Sequence, residues 1–481
     1  MGLDRADVVI AEAARIATAY LSGDSERGEP VIRHLAPEVL CERLDLTPPQ
    51  TGRSLEDLLE GVRTTLRYSV RTGHPGFSNQ LFGGHDMAAL LGEWMTALLN
   101  TSMYTYEVAP VVTLMETELI RHMCTFVGWD ASEGEGVFTP GGSIANLMAL
   151  IAGRNRLLPS AKESGLGRDD RLVLFASEEA HYSIDRAASV AGLGTGAVRK
   201  VAVDELGRMI PQALEAAVLA ARAEGSVPFF VCATASTTVA GAFDPIDRVA
   251  AVAREHGLWL HVDAACGGAV LLSKRHRGLM QGSEHADSLT WNPHKLMGLP
   301  LTCSTLLVRE PGRLATTNAM GASYLFHDND EARFDLGDLS LQCGRRVDAL
   351  KLWLSWRALG DDGHARRIES LFELATSLRD KVVDRDHFEL VREPQGCNVC
   401  FRYVPQSLQK TPPGPDRGKQ LGALTIEIRE HLRREGRILT NYAVLDGVPT
   451  FRYVASNPRA TDEDLQSLLS EIERIGASLS V

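Results

Sequence analysis

No run of about eighteen uncharged apolar residues, the least a membrane-spanning helix needs, occurs anywhere in the chain of 481 residues. No cluster of Lys and Arg stands out either. The formal charge of -12 at pH 7 has the wrong sign for a nucleic-acid or anionic-membrane partner, because phosphate contacts need concentrated basic side chains. The opening stretch "MGLDRADVVIAEAARIATAYLSGD" has acids near its start and a helical pattern where a leader would carry an apolar core, so no secretory segment is expected. Cysteine is sparse: eight residues (Cys41, Cys124, Cys232, Cys266, Cys303, Cys343, Cys397 and Cys400) lie scattered in apolar surroundings. That is the pattern of buried, reduced thiols in a cytoplasmic protein. The one close pair, Cys397 and Cys400 in "CNVCFRYV", sits in a strand-like segment. Residues three apart on a strand face opposite sides, which disfavours a metal or redox pair. The chain also lacks internal repeats and low-complexity tracts.

What is present, 44% hydrophobic and 23% charged residues, is ordinary globular material, long enough for two or three domains. Residues 1–78 read as a helical N-terminal segment. One amphipathic helix runs near Val8 to Leu21, stopped by Gly23; a second runs from Ser54 to about Tyr68, with Ser54 as N-cap and Asp57 three residues on. Between them lies the polar connector "SGDSERGEP". Such an arm, without a core of its own, is expected to pack on a partner subunit. From about Gly136, short apolar runs alternate with helices: "GVFT", "RLVLFAS", "AVRKVAV", "VPFFVCATAS", "LWLHVDAA", "SLTW" and "STLLVR" are separated by helix-length crossovers. Strands buried on both faces and joined in this way predict an α/β domain with a mostly parallel sheet, taken as residues 79–355. Beyond the helix "RRVDALKLWLSWRALG", residues 356–481 read as a smaller α+β domain. Within it, "VPQSLQKTPPGPDRGKQ" is expected to be a mobile loop.

In open α/β sheets the ligand site lies beyond the carboxyl ends of the strands. The first strand runs into "TPGGSIAN", where Gly141 and Gly142 permit a tight turn, Ser143 offers a hydroxyl and the next helix presents free N–H groups. This is either a phosphate cradle or a plain glycine turn. Its spacing is not GxGxxG and no Walker lysine follows, so dinucleotide and ATP binding are disfavoured. "LWLHVDAACGG" carries Asp263 to the end of an apolar strand, as a loop cap or as the partner of a protonated heterocyclic nitrogen. His181 in "SEEAHYSID" is placed either to stack on an aromatic ring or to cap a helix. Thr234, Thr237 and Thr238 in "ATASTTVAG" can orient a ring oxygen or satisfy a turn. Lys295 lies in "TWNPHKLMGLPLTCS", a run of almost no charge. Cradle, carboxylate, imidazole and low-polarity lysine, in this order and at strand ends, are together what a pyridoxal 5'-phosphate site requires.

The sequence resembles the group II pyridoxal-phosphate amino-acid decarboxylases, specifically the glutamate and cysteine sulfinate decarboxylase branch. The resemblance runs from about Gly73 to the C-terminus through "HPGFSNQL", "NTSMYTYEVAP", "GGSIAN", "GAFDPI", "HVDAACGG", "TWNPHK", "ASYLF", "LQCGRRVDALKLWLSWRALG" and "FRYVASNP". It implies a type I aminotransferase-like fold and a homodimer with active sites shared between subunits. On the matching positions it implies Lys295 as the Schiff-base lysine and His181 as the stacking imidazole. It makes Asp263 the pyridine partner, Ala265 the small residue against the ring's other side, and Gly142 with Ser143 the phosphate turn, with Thr234 also at the cofactor. Gln80 and Arg452 match the pair that holds the substrate α-carboxylate, and His294 would sit beside the cofactor and assist catalysis. Phe82, where glutamate decarboxylases tend to have a small serine, with Ser102 and Tyr104, looks like the cysteine sulfinate branch. A bulky Phe82 should shorten the pocket, favouring aspartate or cysteine sulfinate over glutamate.

Three departures qualify the resemblance: Cys266 stands where the family usually has tryptophan, Ser236 where it has glycine, and "SYLFHDNDEARFDLGD" is shorter than the family's mobile loop. In that loop Arg333 and Phe334 occupy the place of the tyrosine that returns a proton to the substrate carbon. The proton must then come from His294 or a partner chain. Failing that, the reaction would turn to decarboxylative oxidative deamination or another lyase outcome. A non-catalytic relative is disfavoured by the retention of Lys295, Asp263 and His181. A metal site built from His261, Asp263 and His294 is less simple than a structural histidine beside the cofactor's aspartate, and no metal is expected.

Overall fold

The apolar runs between Gly136 and Val308 become seven strands in the computed structural model, which describes residues 5–24, 28–130, 132–327 and 330–479. They are β1 (Glu135–Thr139), β2 (Leu172–Ser177), β3 (Val198–Val201), β4 (Val227–Thr234), β5 (Trp259–Ala264), β6 (Ser288–Trp291) and β7 (Ser304–Val308). Their order across the sheet is β1-β7-β6-β5-β4-β2-β3. β7 alone runs against its neighbours; β2 to β6 pair in parallel. Every residue of β2, β5, β6 and β7 is buried, which is why these segments read as continuous apolar runs. The helix Gly142–Leu157 packs on this sheet at Gly153, where a Cβ would come within 3.0 Å of both Phe230 and Trp259. Glycine there lets helix and strand approach closely, and Leu150, Leu174, Phe230, Trp259 and Leu306 fill the core around it.

Two compact units divide the chain: His85–Glu373 with Arg392–Cys397, and Met1–Gly84 with Leu374–Val391 and Asn398–Val481. The first holds the seven-stranded sheet. The second is built on a four-stranded sheet of β8 (Phe388–Arg392), β9 (Asn398–Tyr403), β10 (Asn441–Leu445) and β11 (Val448–Val454), in the order β10-β11-β9-β8. The helices Pro415–Glu435 and Asp462–Ser478 lie against that sheet. The N-terminal helices fall at Ala6–Gly23 and Leu55–Tyr68, the latter opened by the capping box of Ser54 and Asp57 that the spacing predicts. They share a small cluster of Ile16, Leu55 and Leu59, so the arm is not without a core. Of the connector between them, residues 25–27 lie outside the described residues.

Two other expectations change. The segment read as a mobile loop contains the short helix Gln406–Gln409 and the start of Pro415–Glu435. Leu408 packs there with Val404 and Leu421, and Pro415 occupies the first helical turn, where a missing N–H is harmless. Cys41 and Cys343 are exposed, while the other six cysteines are buried as free thiols. Among the described residues no helix is long and apolar enough to cross a membrane.

Candidate active site

The carboxyl ends of β1, β2, β4, β5 and β6 deliver side chains to one cavity of about 190 Å³. After β1 the backbone turns through Gly141 at φ 138°, and the helix Gly142–Leu157 begins with no side-chain cap and no acid in its first turn. Its first amides and the positive end of its dipole stay available to an anion. Gly142 and Ser143 line the cavity. A Cβ on Gly142 would stand 2.8 Å from Asn292 Nδ2, so the glycine keeps the cradle open.

Lys295 follows β6 and lines the same cavity, held by its own backbone N–H, which donates to the Asn292 carbonyl at 2.9 Å. Asp263, near the end of β5, is 5% exposed. Its Oδ1 accepts from the Ala265 N–H at 3.1 Å and its Oδ2 from Asn146 Nδ2 at 2.8 Å. It therefore caps a loop and also presents a carboxylate to the cavity. His181 stands both at a helix start and on the cavity wall. Its Nδ1 accepts from the Ser183 N–H at 3.2 Å, at the start of the helix Ser183–Val190, while the residue lines the cavity. Burial lowers its pKa, opposed by Asp263, so the ring is a neutral imidazole with its proton on Nε2.

The threonines separate. Thr237 Oγ1 accepts from the Ala242 N–H at 3.0 Å and serves a turn, whereas Thr234 lines the cavity with its Oγ1 buried and without a partner among the described residues. Such an orphan hydroxyl calls for a ligand. Ala265 lies on the cavity wall. Thr238, one of the three hydroxyls read from the sequence, lines it too, as do Ser236 and Cys266, noted there only as departures; Asn146, Ser183 and Asn292 also line it and were not singled out from the sequence. Asn146 and Asn292 belong to the quoted motifs "GGSIAN" and "TWNPHK", but a buried amide carries no signal of its own in a sequence.

Other expected residues are not among those that line this cavity. His294 is not among the cavity's lining residues; its Nδ1 lies 2.6 Å from the Cys303 carbonyl, and burial pushes its pKa down to about 4. His261 is taken up by Ser288 and Asn146, and His261, Asp263 and His294 do not come together as a group that could hold a metal ion. Ser102 and Tyr104 do not line the cavity either. Ser102 Oγ accepts from the Arg345 N–H at 3.0 Å, and the Tyr104 carbonyl accepts from the Gly337 N–H at 2.9 Å. The Arg345 guanidinium, 3% exposed, is bound to Glu116 and to the carbonyls of Met103 and Phe138, which ties this loop to β1. In the other unit, Phe82 packs against the cluster of Val31, Phe77 and Leu439. Arg452 on β11 is 6% exposed and donates to the Asn79 carbonyl at 2.9 Å, and the Gln80 carbonyl accepts from Ser456 Oγ at 3.5 Å. The loop at Arg333 forms a single turn, Ala332–Phe334, with Phe334 against Tyr106 at 5.4 Å; residues 328 and 329 lie outside the described residues.

A glycine cradle at a helix start, a lysine, a carboxylate, a flat neutral imidazole and an orphan hydroxyl around one cavity fit pyridoxal 5'-phosphate. Sheet and site together define a pyridoxal-phosphate enzyme. The pyridoxal-dependent decarboxylase conserved domain matches residues 37–404. Cysteine sulfinic acid decarboxylase of Mus musculus is 47% identical over 465 residues, covering 96% of this chain and 94% of that protein. The crystal structure of mouse CSAD in apo form superposes with a TM-score of 0.94 at 44% identity, over 98% of each chain. That of Oryza sativa TDC with PLP and tryptamine gives 0.90 at 26% identity, over 99% of each. The chain belongs to the pyridoxal-dependent decarboxylase family, and is a pyridoxal-phosphate-dependent amino-acid decarboxylase.

Proposed function

We propose that the chain decarboxylates a short acidic L-amino acid, cysteine sulfinate or aspartate in preference to glutamate, and that it does so as a cytoplasmic homodimer. The observation that carries the chemistry is Lys295 on the wall of a cavity that Asp263, His181 and the Gly142–Ser143 cradle also line. Bound there, pyridoxal phosphate supplies an aldehyde for the substrate's amine and a ring that accepts the electron pair freed as carbon dioxide leaves. Lys295 offers the amine that holds the aldehyde, and the amides at Gly142 and Ser143 take the phosphate. Asp263 offers a carboxylate to the pyridine nitrogen, and His181 an uncharged planar face. Arg452 and Gln80 are the pair assigned to the substrate α-carboxylate, a planar anion that a guanidinium can grip with two N–H groups. The choice of substrate is supported by the bulk of Phe82 and by the 47% identity to cysteine sulfinic acid decarboxylase of Mus musculus.

A second outcome is favoured by one observation. His294 does not line the cavity, its Nδ1 lies 2.6 Å from the Cys303 carbonyl, and burial pushes its pKa down to about 4, so it is a weak source of the proton that must replace carbon dioxide. A slow proton return leaves time for dioxygen to intervene, giving aldehyde, ammonia and peroxide in place of amine. One experiment covers both readings: turnover of L-cysteine sulfinate, L-aspartate and L-glutamate, with products identified by mass spectrometry and peroxide assayed in parallel. Amine without ammonia or peroxide is expected; stoichiometric peroxide would establish the oxidative outcome instead. Lys295→Ala should abolish the visible band of the bound cofactor and lower turnover by roughly a thousandfold or more. Phe82→Ser should shift the kcat/KM ratio about tenfold towards glutamate. An unchanged ratio would remove Phe82 from the substrate pocket.

A further inference from the structure

Behind Asp263 lies an unbroken chain of buried hydrogen bonds. Trp259 Nε1–H, at the start of β5, donates to Ser288 Oγ on β6 at 2.8 Å. Ser288 Oγ is 2.9 Å from His261 Nδ1. His261 Nε2 is 3.0 Å from Asn146 Oδ1, which also accepts from Thr290 Oγ1 at 2.8 Å. Asn146 Nδ2 then donates to Asp263 Oδ2 at 2.8 Å and to Ser183 Oγ at 2.9 Å. None of Trp259, Ser288, His261, Thr290 and Asn146 is more than 1% exposed.

The proton positions follow from the two ends. An indole N–H only donates, so the Ser288 hydroxyl accepts from Trp259 and must direct its own proton elsewhere. A carboxylate only accepts, so Asn146 turns its NH2 to Asp263 and its carbonyl to His261 and Thr290. Facing that carbonyl, His261 Nε2 carries a proton. Burial pushes the pKa of His261 down to about 4, against the pull of Asp263, so the ring is neutral and Nδ1 is left to accept from the Ser288 hydroxyl. With the other tautomer, the Nε2 lone pair would face the Asn146 carbonyl. Turning the amide over would only move the clash, setting that carbonyl against Asp263. An unmatched polar group in such an interior is destabilising. The Nε2–H tautomer satisfies each of these contacts, with Thr290 Oγ1 also 3.4 Å from Nε2, and the two ends of the chain agree on it.

We propose that Trp259, Ser288, His261 and Asn146 form a directional relay that holds the Asp263 carboxylate in one orientation for the pyridine nitrogen of the cofactor. His261, which does not line the cavity, is then a positioning residue. The proposal rests on the reading of Asp263 as the partner of that nitrogen. Its test is the affinity of the full-length apoenzyme for pyridoxal 5'-phosphate against the analogue with C–H in place of the ring nitrogen, followed by absorbance titration. A device aimed at the nitrogen affects only the first ligand; a mere packing role affects both.

His261→Met is expected to lose roughly tenfold of the wild-type preference for the nitrogen-bearing cofactor, the scale of one hydrogen bond to a charged group. His261→Gln, which restores an N–H towards Asn146, should stay within about threefold of wild type. Ser288→Ala removes a single oxygen; it should fall between them, and carries the test if His261→Met does not fold. Equal weakening of both ligands in these variants, or a Gln variant that behaves like Met, overturns the relay. Asp263→Asn separates the two levels. If it leaves the preference intact, the reading of Asp263 is wrong. If it abolishes the preference while His261→Met and Ser288→Ala keep it, the relay alone falls.

Discussion

Gly142 shows at the scale of one residue how the site excludes alternatives. A methyl group there would meet Asn292 Nδ2 at 2.8 Å and the Ala265 Cβ at 3.5 Å. Asn292 cannot swing away freely, since its Oδ1 accepts from Ser304 Oγ at 2.6 Å. Gly142→Ala is therefore expected to weaken cofactor binding by at least about tenfold while lowering the stability of the apoenzyme by only about 1–3 kcal/mol. Titration of the apoenzyme and its urea midpoint check the two halves; unchanged affinity would show that the cradle is not where the phosphate binds. Single residues were unevenly legible. Lys295, Asp263 and His181 stood out because a charged or titratable group at the end of an apolar strand has to be explained. Thr234 and Thr237 could not be told apart, because their difference is which hydroxyl a turn consumes. Asn146 was silent: an amide inside a helix acquires meaning only when its four partners are known.

Elements were easier to read than residues, because periodicity and capping are local. The capping box at Ser54 and the strands buried on both faces follow from spacing alone. The segment around Pro415 was misread, since its Pro and Gly content describes a turn and a helix start equally well. The helix Asp348–Val383 is interrupted at Gly360, with φ 62°, a conformation that glycine adopts at little cost. The helix Met87–Leu99 bears on the proposed dimer. Met87, Leu91, Trp94 and Leu98, spaced four, three and four apart, are 51%, 50%, 43% and 66% exposed. An apolar stripe of that kind on one helix face marks a surface meant to be covered. Leu91→Glu combined with Leu98→Glu should convert the dimer to monomers in sedimentation velocity, with the helical circular dichroism retained. A dimer of unchanged affinity would place the interface elsewhere.

Across the whole molecule, buried histidines couple stability to pH, and His364 does so most transparently. It is fully buried, its two ring nitrogens have no partner among the described residues, and its ring packs edge-on against Trp356 at 5.4 Å. Burial, helped by Arg367 and opposed by Asp86 and Asp361, pushes its pKa down to about 4. The unfolded chain keeps a histidine near its ordinary value of about 6.5, so between those two values the unfolded state binds the extra proton. The associated stability is present above about pH 6.5 and is lost as the pH falls towards 4. His261 and His294 act with the same sign, while Asp244, raised to about 6 by burial, acts with the opposite one. The wild-type profile is thus a composite, and only a difference isolates His364. His364→Leu, similar in size and free of polar atoms, is expected to stabilise the protein by about 1–2 kcal/mol at pH 7. At pH 5 the advantage should widen by roughly 2 kcal/mol, about 1.4 kcal/mol for each of the roughly 1.5 pH units below the unfolded pKa. Urea unfolding of both proteins at fixed chain and cofactor concentration measures this directly. An advantage of the same size at both pH values would mean that the ring is not held neutral in the folded state.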